Sequence, residues 1–80
     1  MIEKKSVLQT IKLIISEQVG VSEELLGLDS EPSKISTWDS LANTMIYLEI
    51  KKIVDTELKF EEYLECKNIG ELLQKLLESS

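Results

Sequence analysis

Eighty residues make one small domain with a thin core, and fifteen acids against nine bases leave a formal charge of −6. A surface this acidic is repelled by a phosphate backbone, which argues against nucleic-acid binding; it suits basic protein partners or simple solubility. One cysteine and no histidine exclude an internal disulfide and leave no plausible structural zinc site.

The start, Met1-Ile2-Glu3-Lys4-Lys5, leads into mixed polar and apolar residues without the apolar run of a signal peptide or a membrane span. A reducing cytoplasm is the expected compartment. The first helix is predicted from Glu3 to Val19. Val7, Leu8, Ile11, Ile14, Ile15 and Val19 recur at three- and four-residue spacing and form one apolar stripe. Gly20 is its natural stop, because glycine takes the left-handed conformation at no steric cost.

From Val21 to Asp39 the periodicity disappears. Ser22 can cap one helical turn over Ser22-Glu23-Glu24-Leu25-Leu26. Gly27, Asp29, Ser30, Pro32, Ser33 and Ser36 then read as loop. A connection this long is unusual in a compact domain unless it has a function. Leu25, Leu26, Leu28, Ile35 and Trp38 are expected to pin it to the core.

The second helix is predicted from Ser40 to about Val54, and it is apolar over too much of its circumference. At about 100° per residue, Ala42, Ile46, Ile50 and Ile53 line one side, and Leu41, Met45 and Leu48 line another. Two readings of the second stripe stand together. It packs against helix one or the loop, or it is a partner surface. After a turn at Asp55-Thr56-Glu57-Leu58, Phe60 to Glu65 is predicted as a short helix bearing Phe60, Tyr63 and Leu64. Asn68 is a good N-cap for a last helix with Ile69, Leu72, Leu73, Leu76 and Leu77 on one stripe, and Ser79-Ser80 are expected to fray. The fold class is therefore all-α: a small four-helix bundle with a long loop between helices one and two and a short third helix.

Self-contained catalysis is poorly supported, and no enzyme is expected. A nucleophilic serine needs a base, usually histidine, and none exists. Glu23-Glu24 and Glu61-Glu62 are adjacent in sequence and diverge on a helix, and no glycine-rich phosphate loop occurs. Cys66 reads as a small buried hydrophobe rather than a reactive thiol.

The stretch that carries most information is Trp38-Asp39-Ser40-Leu41, where the loop turns into the second helix. Taken alone, Asp39 and Ser40 are both leading N-caps. Asp-Ser-Leu at a loop-to-helix junction, halfway along a small acidic helical chain, also resembles the attachment site of the acyl and peptidyl carrier proteins. The resemblance covers nearly the whole chain in element order. It implies a 4′-phosphopantetheine arm on Ser40, holding an acyl or aminoacyl cargo as a thioester. It implies that Asp39 helps a phosphopantetheinyl transferase place its magnesium-bound donor. The helix N-terminus, with free N–H groups and a positive dipole end, suits the phosphodiester, although the charge of Asp39 works against it.

The resemblance further implies a monomer whose partner face begins at Leu41 and takes in Thr44, Met45, Leu48, Lys51 and Lys52. The implied partners are the transferase, an acyl- or aminoacyl-loading ligase, and a downstream synthase or transferase of fatty-acid, polyketide or nonribosomal-peptide biosynthesis. The chain departs from fatty-acid-type carriers by placing Met45, Lys51 and Lys52 among Glu49 and Asp55, where acids are usual. A free-standing carrier with a dedicated loading enzyme fits better. The alternative is a non-catalytic helical interaction module that uses the Leu41/Met45/Leu48 face without an arm. Trp38 is expected to anchor the loop, with shielding of the arm as the second possibility.

Overall fold

The computed structural model describes residues 4–78, and among them it is all-helical, with four α-helices and no strand. Helix α1 (Lys4–Val19) buries Val7, Ile11, Ile14, Ile15 and Val19, so the predicted stripe is the core face. The predicted first residue, Glu3, lies outside the described residues, as do Ser79 and Ser80. Gly20 closes α1 with φ +71°, and its N–H donates to the Ser16 carbonyl at 3.0 Å. An L side chain at that φ would be strained, so glycine is required here.

Helices α2 (Ser40–Ile53), α3 (Phe60–Glu65) and α4 (Ile69–Glu78) complete the order. α1 packs on both α2 and α4, and α3 leans on α2. Ile11, Ile15, Ile46, Ile50, Leu58, Ile69 and Leu76 are sealed from solvent. Each such side chain stabilises the fold by about 1.5–3 kcal/mol, so seven of them carry a large part of a thin core. Caps define the later helices. Glu62 Oε1 accepts from Lys59 N–H at 2.9 Å before α3, and Asn68 Oδ1 accepts from Glu71 N–H at 2.8 Å before α4.

Two apolar positions depart from the expected pattern. Ile53 was expected on the buried side of α2, yet it is exposed. It is the last residue of the helix, and the next residue, Val54, takes the inward position, leaving Ile53 on the rim of a groove it shares with Ser6, Val7 and Thr10 of α1. Leu25 and Leu28 do not pin the loop either: Leu25 is 76% exposed and Leu28 is also exposed. Ser22 does cap a tight turn, a 3-10 turn at Glu23–Leu25, but neighbouring side chains there diverge and only Leu26 points inward.

The other expected anchors, Leu26, Ile35 and Trp38, do hold the loop, and hydrogen bonds add to them. Trp38 is buried and Ile35 packs against the core. Thr37 Oγ1 donates to the Val19 carbonyl at 2.6 Å, hooking the loop to the end of α1. Two backbone carbonyls, Ser30 and Leu28, accept from Ile69 N–H at 3.1 Å and Gly70 N–H at 2.9 Å. Those amides lie in the first turn of α4, where no intrahelical acceptor exists. Leu28 thus contributes its backbone, not its side chain. The approach is close enough that a Cβ on Gly70 would lie 3.2 Å from the Leu28 oxygen. A second 3-10 turn, Pro32–Lys34, falls where only loop was expected.

Candidate functional site at the start of α2

Asp39 takes extended backbone geometry, and its Oδ1 accepts from Ala42 N–H at 2.9 Å, so it is the N-cap of α2. Ser40 is the first helical residue and is exposed. Its carbonyl accepts from Thr44 Oγ1 at 3.1 Å, but no group among the described residues hydrogen-bonds its hydroxyl. The two possible caps have separated. Asp39 satisfies the helix end, and the Ser40 hydroxyl is left open beside the positive end of the α2 dipole.

On the side of α2 that faces α3, Trp38, Asn43 and Tyr63 form a hydrogen-bonded cluster. Asn43 Oδ1 accepts from the Trp38 indole Nε1–H at 2.8 Å and from the Tyr63 hydroxyl at 2.7 Å. Burial pushes the Tyr63 phenol up to about 12, with the Trp38 indole pulling the other way. Tyr47 extends the cluster. It meets Phe60 edge-on at 5.2 Å between centroids, and its hydroxyl donates to the Leu58 carbonyl at 2.7 Å. Between these groups and α4 lies a cavity of about 110 Å³, lined by Pro32, Trp38, Asn43, Tyr63, Leu64, Asn68, Ile69 and Leu72.

The opposite side of Ser40 is open. Leu41 is 71% exposed, Met45 39% and Leu48 51%, and Thr44 is exposed beside them. Neither α1 nor the loop covers this stripe. A shallow groove runs along it between Leu41, Met45 and Gln18. The two lysines expected on the same face are exposed but not equivalent. Lys51 Nζ donates to the Thr56 carbonyl at 2.6 Å, tying the end of α2 to the following turn. Among the described residues, Lys52 Nζ pairs only with Glu49 Oε1, at 3.4 Å.

Cys66, expected to be buried, is half-buried at the end of α3, and its thiol donates to the Glu62 carbonyl at 3.4 Å. Burial pushes its pKa up, reinforced by Glu71 and opposed by Lys75, which makes it a poor nucleophile. No group of three or more potential metal ligands occurs among the described residues, and no described helix is long and apolar enough to cross a membrane.

Asp39 and Ser40 stand at the start of α2 and the Leu41/Met45/Leu48 stripe is exposed, whereas the hydrogen bonds that join Asn43 to Trp38 and Tyr63 beside them were not anticipated from the sequence. The available signal was the asparagine itself, a polar residue at the edge of the buried stripe of α2. No protein-family model matches the chain, and no curated protein matches it significantly.

Proposed function

We propose that this protein is a free-standing carrier that holds an acyl or aminoacyl group on a 4′-phosphopantetheine arm at Ser40. One observation carries the reading. The Ser40 hydroxyl is exposed and unbonded at the first position of α2, while Asp39 takes over the capping that would otherwise occupy a serine there. The residues fit the group: the primary hydroxyl of Ser40 would take the phosphopantetheinyl group from coenzyme A, forming a phosphodiester as adenosine 3′,5′-bisphosphate leaves, and the helix N-terminus favours the negative charge of that diester. When bound, the arm supplies the thiol that holds cargo as a thioester. The chain's own part is to present that attachment point, with Asp39 supporting transfer, and to offer Leu41, Thr44, Met45, Leu48 and Lys52 to partners.

Those partners are a phosphopantetheinyl transferase, a dedicated loading ligase and a downstream synthase or transferase, acting in a reducing compartment where the arm's thiol stays free. The protein itself performs no chemistry, since it has no histidine to activate the serine. A second reading, a helical interaction module without an arm, draws on the same exposed stripe.

Intact mass after incubation with coenzyme A and a permissive transferase tests the reading. The wild type is expected to gain one arm and Ser40→Ala none. The variant should remain folded, at a cost of at most about 1 kcal/mol, because Asp39 still caps. A wild type that gains nothing leaves the interaction module as the better account. An alanine variant that gains the arm moves the attachment elsewhere.

A further inference from the structure

Each of the three residues before Ser40 is fastened by its side chain, and each to a different partner. Thr37 Oγ1 donates to the Val19 carbonyl at 2.6 Å, at the end of α1. Trp38 Nε1–H donates to Asn43 Oδ1 at 2.8 Å, and Asp39 Oδ1 accepts from Ala42 N–H at 2.9 Å. Ser40 has no such tie, since its hydroxyl has no partner among the described residues. Its place is therefore set by its neighbours. The Trp38 tie differs from the other two, because it does not end at its acceptor. A carboxamide oxygen has two acceptor sites, and the Tyr63 hydroxyl fills the second one on Asn43 at 2.7 Å. Tyr63 is buried, and its ring stacks on Phe60 with 6.1 Å between centroids and lies tilted against Tyr47. That packing aims the hydroxyl at one oxygen. α3 thus reaches the segment before Ser40 through a single atom, Asn43 Oδ1.

We infer that Asn43 and Tyr63 are positioning residues for arm transfer to Ser40, acting through Trp38. The inference rests on the carrier reading. In that transfer Ser40 Oγ forms a bond to the phosphopantetheinyl phosphorus of coenzyme A, and the bond from that phosphorus to adenosine 3′,5′-bisphosphate breaks. The serine proton passes to a base of the transferase. Asn43 and Tyr63 take no part in these bonds. They hold Trp38, and with it the turn into α2, in one geometry, and a displacement of about 1 Å at a reacting atom can cost about 100-fold in rate. The exposed stripe of Leu41, Met45 and Leu48 lies on the opposite side of α2, outside this relay. Loss of the relay therefore slows transfer within the docked complex and leaves docking itself unchanged.

The test is steady-state arm transfer from coenzyme A by a permissive phosphopantetheinyl transferase, with the full chain as the varied substrate and intact mass as the readout. Tyr63→Phe loses one hydrogen bond and is expected to lower kcat by roughly fivefold, with KM for the chain unchanged. Asn43→Leu loses two and is expected to lower kcat by roughly twentyfold. Asn43→Asp keeps an acceptor for both donors and should recover most of the wild-type kcat, which a general loss of packing would not allow. Val7 is buried beside Ile53 and Val54, at the far end of α2 from Ser40. Val7→Ala is expected to lower the melting temperature and leave kcat unchanged. A Tyr63→Phe kcat equal to wild type overturns the inference. So does an Asn43→Asp kcat as low as that of Asn43→Leu, or an equal loss of kcat in Val7→Ala. No mass gain by the wild type overturns the carrier reading, and this inference with it. Should the Asn43 variants fail to fold, Tyr63→Phe against Val7→Ala still decides.

Discussion

The two flanks of α2 differ sharply, although one helix makes both. The flank facing α3 is tied down by hydrogen bonds from Trp38 and Tyr63 to Asn43 and from Tyr47 to Leu58, with Tyr47, Phe60 and Tyr63 packed together. The other flank presents Leu41 and Leu48 to solvent, with Met45 partly shielded beside Gln18. An apolar side chain left in water contributes nothing to folding, so the open flank is free to vary for recognition. The closed flank is not: its side chains hold the loop and α3 in position around Ser40. The side chains that hold the fold together and those left in solvent thus lie on two sides of one short helix.

The largest effect should come from breaking the closed flank at Trp38. Trp38→Ala removes a buried ring and one of the two donors to Asn43, at a cost of about 3–5 kcal/mol. Small domains hold only about 5–15 kcal/mol in total, so a large drop in thermal midpoint is expected. Met45→Glu, on the open flank, should change the same midpoint by no more than about 0.5 kcal/mol in stability. Equal shifts for the two variants would remove the distinction between the flanks.

A smaller effect should follow from Tyr63, and it depends on pH. Tyr63→Phe keeps the ring and loses the hydroxyl donor, costing about 1 kcal/mol near neutral pH. The folded-state value of this phenol, about 12, lies above the unfolded one near 10, so the unfolded chain gives up its proton first. Its contribution is complete below pH 10 and is lost progressively between about pH 10 and 12. The loss is on the order of 2–3 kcal/mol. Urea melts at pH 7, 10 and 11 check this. The wild type should weaken more steeply over that range than Tyr63→Phe, and parallel declines would place the phenol in solvent.

Much of this architecture was legible in the sequence. Helical periodicity identified α1, α2 and α4, the short α3 was read from its apolar residues, and Ser22 and Asn68 marked their turn and start, while Asp39 and Ser40 were both candidate caps until the structure gave the role to Asp39. What it could not show were backbone interactions and end effects. The carbonyls of Leu28 and Ser30 meet α4 without any side-chain signature, and Gly70 reads as an ordinary helix glycine until the Leu28 oxygen is seen beside it. Ile53 follows the buried periodicity of α2, but Val54, the residue that caps the helix, takes the inward position in its place. At Leu25 and Leu26, two adjacent leucines cannot both face inward from a 3-10 turn. The site divides the same way: Asp39 and Ser40 announce themselves locally, whereas Asn43 gains its role only when α3 brings Tyr63 to it.

The smallest effects separate two lysines that sequence alone treated as one rim. Lys51 donates to the Thr56 carbonyl, so Lys51→Glu removes a fastening of the turn after α2, at about 1 kcal/mol. Lys52 makes only an exposed pair with Glu49 on its own helix, and such pairs contribute about 0–1 kcal/mol. Lys52→Glu is therefore the cleaner electrostatic probe of the open flank. Exposed rim charges act mainly on encounter rate, and salt screens them over about 10 Å at 0.1 M. If the open flank meets partners, Lys52→Glu should alter the rate of arm transfer by the phosphopantetheinyl transferase at low salt, and the difference should shrink at high salt. Its urea midpoint should stay close to that of the wild type. Lys51→Glu should instead lower the midpoint, and added salt should leave most of that loss in place. Indistinguishable midpoints for the two variants would mean that the tether to Thr56 carries no weight. A transfer rate for Lys52→Glu equal to wild type at both salt concentrations would move the electrostatic part of recognition away from α2.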